Sequence, residues 1–235
     1  MKNTNISRFS DETKTRDISK LEKPAVSVTV LIFTIDKGNL EILLVKRVRE
    51  PFKEYWSIPG DLIYIDESLR EAAMRVLQEK TGIKDVYLEQ LYSFGEPNRD
   101  PRGRVITIAF FALLPRQSVD LAKTPDALHL KWTPINSLPQ LAFDHEKIIE
   151  VAFERIKNKL SYSTIAQGLL PEKFRFSELQ NIYEIILGKK IDKRNFRKKL
   201  TSLDLVVPTE SMYKEGSHRP ARLYKFKTKK VIIIE

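Results

Sequence analysis

The sequence predicts an α/β protein in two parts, an α/β/α sandwich on a mixed sheet followed by a C-terminal winged helix-turn-helix domain. Three observations carry that expectation. Strand-like runs flank one amphipathic helix between Gly60 and Ile83. Near the C-terminus two helical patterns with caps precede a pair of strands joined by a basic loop. The positive charge is also unevenly placed: of the net +10, residues 1–160 carry +2 and residues 161–235 carry +8. A compact basic end is the electrostatic footprint of a domain that meets a polyanion.

Composition excludes several classes. The 235 residues include no Cys, so disulfides and thiolate metal sites do not arise, and a cytoplasmic location is expected. The first twenty residues are polar and lack the apolar core of a signal peptide. The longest apolar runs, Val26 to Ile35 and Val105 to Leu114, are too short to span a bilayer and read as buried strands, so no membrane partner is expected.

In chain order, residues 1–23 show no periodicity and read as a flexible arm, residues 24–158 as the α/β domain, to which the resemblance given below assigns effector sensing, and 159–235 as a DNA-binding domain. From Ala25 the run AVSVTVLIFTI predicts a strand, Asp36 to Asn39 a turn and LEILLVKR a second strand, together a hairpin. Ser68 and Glu71 form a capping box ahead of a helix that Gly82 stops. On that helix Leu69, Ala72, Ala73, Val76 and Leu77 make one apolar stripe, while Glu71, Arg75 and Glu79 line up four apart. Taken alone, this pattern also fits an ordinary salt-bridged surface helix.

A strand over Val86 to Phe94, the loop EPNRDPRGR and the central strand VITIAFFALL follow. Arg99, Arg102 and Arg104 in the loop can contact phosphate, since guanidinium forks suit phosphate oxygens; a solvated hairpin tip is the plain alternative. After the strand at KWTP, Asp144 is expected to cap a helix, with His145 structural in its first turn. Trp56 and Trp132 read as core or pocket wall. No catalytic triad, zinc pattern or phosphate-binding glycine loop occurs, and His129 and His218 have no partners at metal-ligand spacing, so no catalytic and no metal-binding residue is assigned.

In the basic end, Ser177 is expected to cap a helix carrying Leu179, Ile182, Tyr183 and Ile186, ended by Gly188. Asp192 caps a second helix whose buried edge is Phe196, Leu200 and Leu203. Arg194, Lys198 and Thr201 project opposite that edge, with Asn195 and Arg197 on the flanks and Lys193 at the start. A helix apolar on one side and basic on the other suits a major groove. Arg219 and Arg222 would sit on the hairpin that follows, within reach of phosphate or the minor groove.

The stretch GDLIYIDESLREAAMRVLQEKTGI resembles a Nudix box in which Glu67, Arg75, Leu77, Glu79, Gly82 and Ile83 are in register, while Asp61, Val76 and Lys80 depart from the pattern. With the segments YLEQLYSFGEPNRDPRGRV, LAFDH, DKRNFRKKL and RPARLYKF, the chain after residue 23 is similar to the Nudix-related transcriptional regulators, the NrtR family. That resemblance implies a homodimeric repressor of NAD metabolism genes, bound to a near-palindromic double-stranded operator and controlled by ADP-ribose. It also implies that Arg75 braces Glu67. Val76 offers no ligand to magnesium and Lys80 opposes it by like charge, so effector binding without hydrolysis or magnesium is expected. The candidate effector-binding residues are Arg49, Glu67, Glu79, Lys80, Arg99, Arg102 and Arg104. Two alternatives remain: the same architecture sensing a sugar or phosphosugar to control sugar catabolism, and an ADP-ribose hydrolase.

Overall fold

The computed structural model describes residues 22–83, 86–123, 127–214 and 220–234. Most of the arm expected over 1–23, and Gly216, His218 and Arg219 in the loop of the C-terminal hairpin, lie outside them.

Strand β1 (Ala25–Asp36) is the axis of a seven-stranded mixed sheet, and Val28–Thr34 are buried without a break, as a strand covered on both faces requires. On one side β1 pairs in parallel with β6 (Val105–Leu113), which carries β5 (Leu88–Phe94) at the edge. Its other side is shared. The C-terminal half meets β2 (Asn39–Lys46) in the expected hairpin, Phe33 opposite Ile42, while the N-terminal half meets β4 (Gly60–Leu62), Thr29 opposite Gly60. Strands β3 (Trp56–Ser57) and β7 (Leu130–Pro134) both pair with β2. The sheet therefore forks between β2 and β4. Gly60 lets the fork close on β1, because a Cβ there would stand 2.7 Å from the Val28 carbonyl oxygen.

One helix covers each face. Helix α1 (Leu69–Thr81) buries Ala72, Ala73, Val76 and Leu77 with Val30, Ile32 and Phe110 of the sheet. Its capping box is complete, Glu71 N–H to Ser68 Oγ at 3.3 Å and Ser68 N–H to Glu71 Oε2 at 2.7 Å, and Gly82 ends it with φ 75°. Helix α2 (His145–Tyr162) buries Ile148, Ile149, Ala152 and Ile156 on the opposite face with Leu31, Phe33, Phe111 and Leu113. Residue 158, where the sequence divides the chain, lies inside α2.

That second core does not stop at the sheet. It continues through Ile165, Leu169 and Phe174 into α3 (Phe176–Leu187), α4 (Lys193–Ser202) and Tyr224, so the C-terminal part is packed as one body with the sheet. At about 1.5–3 kcal/mol for each large apolar side chain buried, this seam is a major stabilising contact. Gly168 sits at its closest point: a Cβ there would lie 2.8 Å from Leu113 Cβ. Strands β9 (Val206–Tyr213) and β10 (Ala221–Phe226) form the expected hairpin, and β8 (Phe174–Arg175) adds a third strand next to β10.

Three local expectations are corrected. Helix α3 starts at Phe176 with Arg175 as its cap, because Phe176 is drawn into the core against Phe196 and Tyr224, at 5.8 and 5.4 Å between ring centres; Ser177 falls in the first turn, and Glu178 accepts the Arg175 N–H at 2.6 Å. Leu203 lies past the end of α4 and is 36 % exposed, so the buried edge of that helix is Phe196 and Leu200. Asp144 occupies the cap position of α2, but its carboxylate makes no capping bond.

Candidate functional site

The fork between β2 and β4 opens into a cleft of about 540 Å³, walled by the end of β2, by α1 and by the arginine loop. Asp144 is engaged here rather than in capping. Arg99 donates to it with Nε at 3.0 Å and Nη2 at 2.6 Å, and to Thr107 Oγ1 with Nη1 at 2.6 Å. The side chains are 4 % and 20 % exposed, so the loop over residues 96–104 is clamped to the start of α2 through Arg99, while its residues other than Arg99 and Asp100 are exposed as a hairpin tip would be. Next to it Arg102 forks onto Asp100, at 2.9 and 2.7 Å, which holds the Asp100 carboxyl below its usual range.

Phe143 has φ 56°, in the left-handed region where a bulky residue is held only by its surroundings. Its ring carries Arg47 at 4.8 Å and Arg102 at 5.8 Å. Burial, and then the nearness of Arg102, lowers the Arg47 pKa, although the group stays charged. Arg47 also donates with Nε to the Pro51 carbonyl at 2.8 Å, so both guanidinium groups are held in place at the cleft wall, Arg47 by a backbone oxygen and Arg102 by Asp100. His145 supports the floor. Its Nδ1 accepts the Ile58 N–H at 3.0 Å, and burial pushes its pKa down to about 3, so the ring is neutral and structural, as expected.

The acids of the Nudix box are already gathered by one side chain. Arg75 donates to Glu67 with Nε at 3.0 Å and Nη2 at 2.8 Å and to Asp61 with Nη1 at 3.0 Å, and approaches Glu79 at 3.6 Å. This is the bracing that the resemblance implied, extended to two more carboxylates. Lys80 and Val76 line the cleft beside Glu79 and Asp61. Among the described residues no group of three or more His, Cys, Asp or Glu is placed to hold a metal ion.

Of the seven candidate effector residues, Arg49, Glu79, Lys80, Arg99 and Arg102 line the cleft. Glu67 and Arg104 do not: Glu67 is turned to Arg75 and the Tyr64 N–H, and Arg104 donates to the Gly95 carbonyl at 2.5 Å. Sequence reasoning missed Arg47, Asp100 and Phe143 as cleft residues, and Asp144 as the partner that holds Arg99 in the cleft wall. The cluster KRVRE and the motif LAFDH were visible, but only folding brings them together.

The second candidate surface is α4. The Asp192 carboxylate accepts the Asn195 N–H at 2.8 Å and caps it as expected. Phe196 and Leu200 are buried, while Lys193, Arg194, Asn195, Lys198 and Thr201 are exposed. Arg197 is exposed as well, but its guanidinium is directed to the hairpin: it packs over Phe176 and Tyr224, at 5.5 and 5.3 Å from the ring centres, and donates to the Tyr224 hydroxyl. Arg222 is exposed on β10.

Comparison with known proteins follows this division. A NUDIX domain model matches residues 23–152, and a model of the NrtR DNA-binding winged helix domain matches residues 166–226. The chain is similar to the ADPR responsive transcriptional repressor NtrR of Acinetobacter baylyi, 39% identical over 88% of this chain and 84% of that one. It is also similar to an ADP-ribose pyrophosphatase of Methanocaldococcus jannaschii, 39% identical over 58% of this chain and 79% of the relative. Shewanella oneidensis NrtR complexed with a 27mer DNA superimposes with TM-score 0.78 at 37% identity, over 86% of this chain and 93% of that one. The NUDIX domain of the same protein complexed with ADP ribose matches 60% of this chain and 94% of its own, at 34% identity and TM-score 0.50.

Proposed function

The chain belongs to the NrtR family, in which a NUDIX domain is joined to an NrtR DNA-binding winged helix, and on that premise we propose that it is a transcriptional repressor whose hold on operator DNA is governed by ADP-ribose. The observation that carries this reading is the pairing of two surfaces in one core: an exposed basic helix face on α4 and a cleft that presents Arg47 and Arg102 over Phe143. The first suits the major groove and its phosphates. The second suits a diphosphate, with Lys80 meeting phosphate oxygen by charge where other Nudix boxes place an acid. The protein acts as a homodimer on a near-palindromic operator, and its targets are NAD metabolism genes.

In this reading the cleft binds without cutting and needs no magnesium. Arg75 already spends its hydrogen bonds on Glu67 and Asp61, Val76 offers no oxygen, and the ammonium of Lys80 opposes a divalent cation. Hydrolysis of ADP-ribose is the second reading, favoured by Glu79 and Asp61 standing in the cleft and by the pyrophosphatase relative.

Fluorescence anisotropy tests the proposal: the protein is bound at fixed salt to DNA from its own upstream region, and ADP-ribose is titrated in. Release of specific DNA is expected. Specific binding that ignores ADP-ribose overturns the effector assignment, and magnesium-dependent turnover at enzyme-like rates overturns the non-hydrolytic reading.

A further inference from the structure

A second cavity, about 390 Å³, opens on the other side of α4 from its basic face. Its walls are Leu160 of α2, Leu187 of α3, Phe196 and Leu200 of α4, and Leu203 and Ile234 beyond them. The C-terminal segment closes one side. Ile234 N–H donates to the Tyr162 carbonyl at 2.7 Å and Ile232 N–H to Thr164 Oγ1 at 3.0 Å, which straps the chain end across the junction of α2 with the reader.

The charge at this cavity has one sign. Lys189 and Lys199 stand at its edge, no carboxylate lines it, and neither lysine is ion-paired among the described residues. Tyr183 lines it as well, its ring edge-on to Phe196 at 4.9 Å, and among the described residues its hydroxyl has no hydrogen-bond partner. Burial pushes that phenol up to about 12, so it keeps its proton and can donate. Cavities of this size with apolar walls and a few polar groups on one side are built like small-molecule sites.

We propose that this cavity binds a small molecule with an apolar body and a single anionic head, an apolar monocarboxylate. The aliphatic and aromatic walls bury the body, Tyr183 donates a hydrogen bond to the head, and Lys189 and Lys199 meet its charge. A nucleotide does not suit the site, since its sugar and base would leave polar groups unpaired against apolar walls. The site is separate from the sensor cleft and does not depend on what that cleft binds. Because Asn195 lies both on its lining and on the flank of the DNA-facing surface, an occupant touches the recognition helix directly.

The test uses the full chain and anilinonaphthalenesulfonate, an apolar aromatic anion that fluoresces when buried, with octanoate as competitor. Saturable binding of one probe per chain is expected, displaced by octanoate and indifferent to ADP-ribose. Ser161→Trp, at an exposed position on the rim, should fill the cavity and abolish binding, and the surface pair Lys189→Ala with Lys199→Ala should weaken it severalfold. Probe binding that neither variant changes, or that ADP-ribose displaces, overturns the proposal. Failure of octanoate to compete overturns the ligand class.

Discussion

Replacing Asp144 by Ala is the sharpest probe of how the cleft is built. The carboxylate accepts two of the three hydrogen bonds that Arg99 donates, and the substitution leaves a guanidinium that is 4 % exposed with Thr107 Oγ1 as its remaining listener. An unpaired buried charge costs about 3 kcal/mol, the low end of the range being appropriate because Thr107 stays in place. For a chain of this size each kcal/mol moves the midpoint by about 3 °C, so calorimetry should show Tm falling by about 9 °C. The arginine loop would lose its anchor to α2 at the same time, so ADP-ribose affinity measured by titration calorimetry should fall. Replacing both partners by Leu should recover much of the stability, because the charge is then gone, but not the affinity. A fall in Tm of less than about 2 °C for the single variant would refute the account of Arg99 and Asp144 as a buried clamp.

Three further outcomes follow from the same geometry. His145 has its folded pKa depressed to about 3 from 6.5, so the unfolded chain binds the extra proton between these values; stability is full above pH 6.5 and declines as pH falls through that window. His145→Asn, which keeps an acceptor for the Ile58 N–H, should flatten the decline by up to about 1.4 kcal/mol per pH unit in denaturant titrations; an unchanged slope argues against a buried neutral ring. Gly168→Ala forces a Cβ to within 2.8 Å of Leu113 Cβ and should cost about 1–3 kcal/mol in thermal unfolding, with no loss meaning that the seam is loose. Arg194→Ala should weaken operator binding, reduce the salt slope by about 1 and leave ADP-ribose affinity intact; unchanged DNA affinity counts against α4 as the recognition helix.

Periodicity and capping chemistry are local, and they were legible. The hairpin at Asp36 to Asn39, the box at Ser68 and Glu71, and the Asp192 cap follow from neighbours within four residues, and each stands as expected. What the sequence hides are partners far apart in the chain. Arg99 and Asp144 are 45 residues apart, and nothing in either segment says that one neutralises the other. The cap expected of Asp144 failed for that reason: an N-cap acceptor was claimed by a stronger donor. Ser177 lost its place to Arg175 because burial of Phe176 outweighs a hydroxyl cap. The two-residue β8 is too short to show alternation and exists through its pairing with β10. In the cleft, Arg99 and Arg102 are legible by charge and Lys80 by its register in the Nudix box, whereas Phe143 is not, because an aromatic in a loop carries no periodic signal.

The uninterrupted core from Leu31 and Phe111 to Leu179 and Phe196 bears on how such a protein can be taken apart. Sensor and reader are not cassettes on a string. A winged helix cut free at the end of α2 would present the bare sides of Ile165, Leu169 and Phe174 to water, and a foreign reader grafted in its place would meet a sheet face shaped for these side chains. Heat should therefore melt the chain in one cooperative transition, and chimeras should succeed only when the seam is exchanged along with the domain.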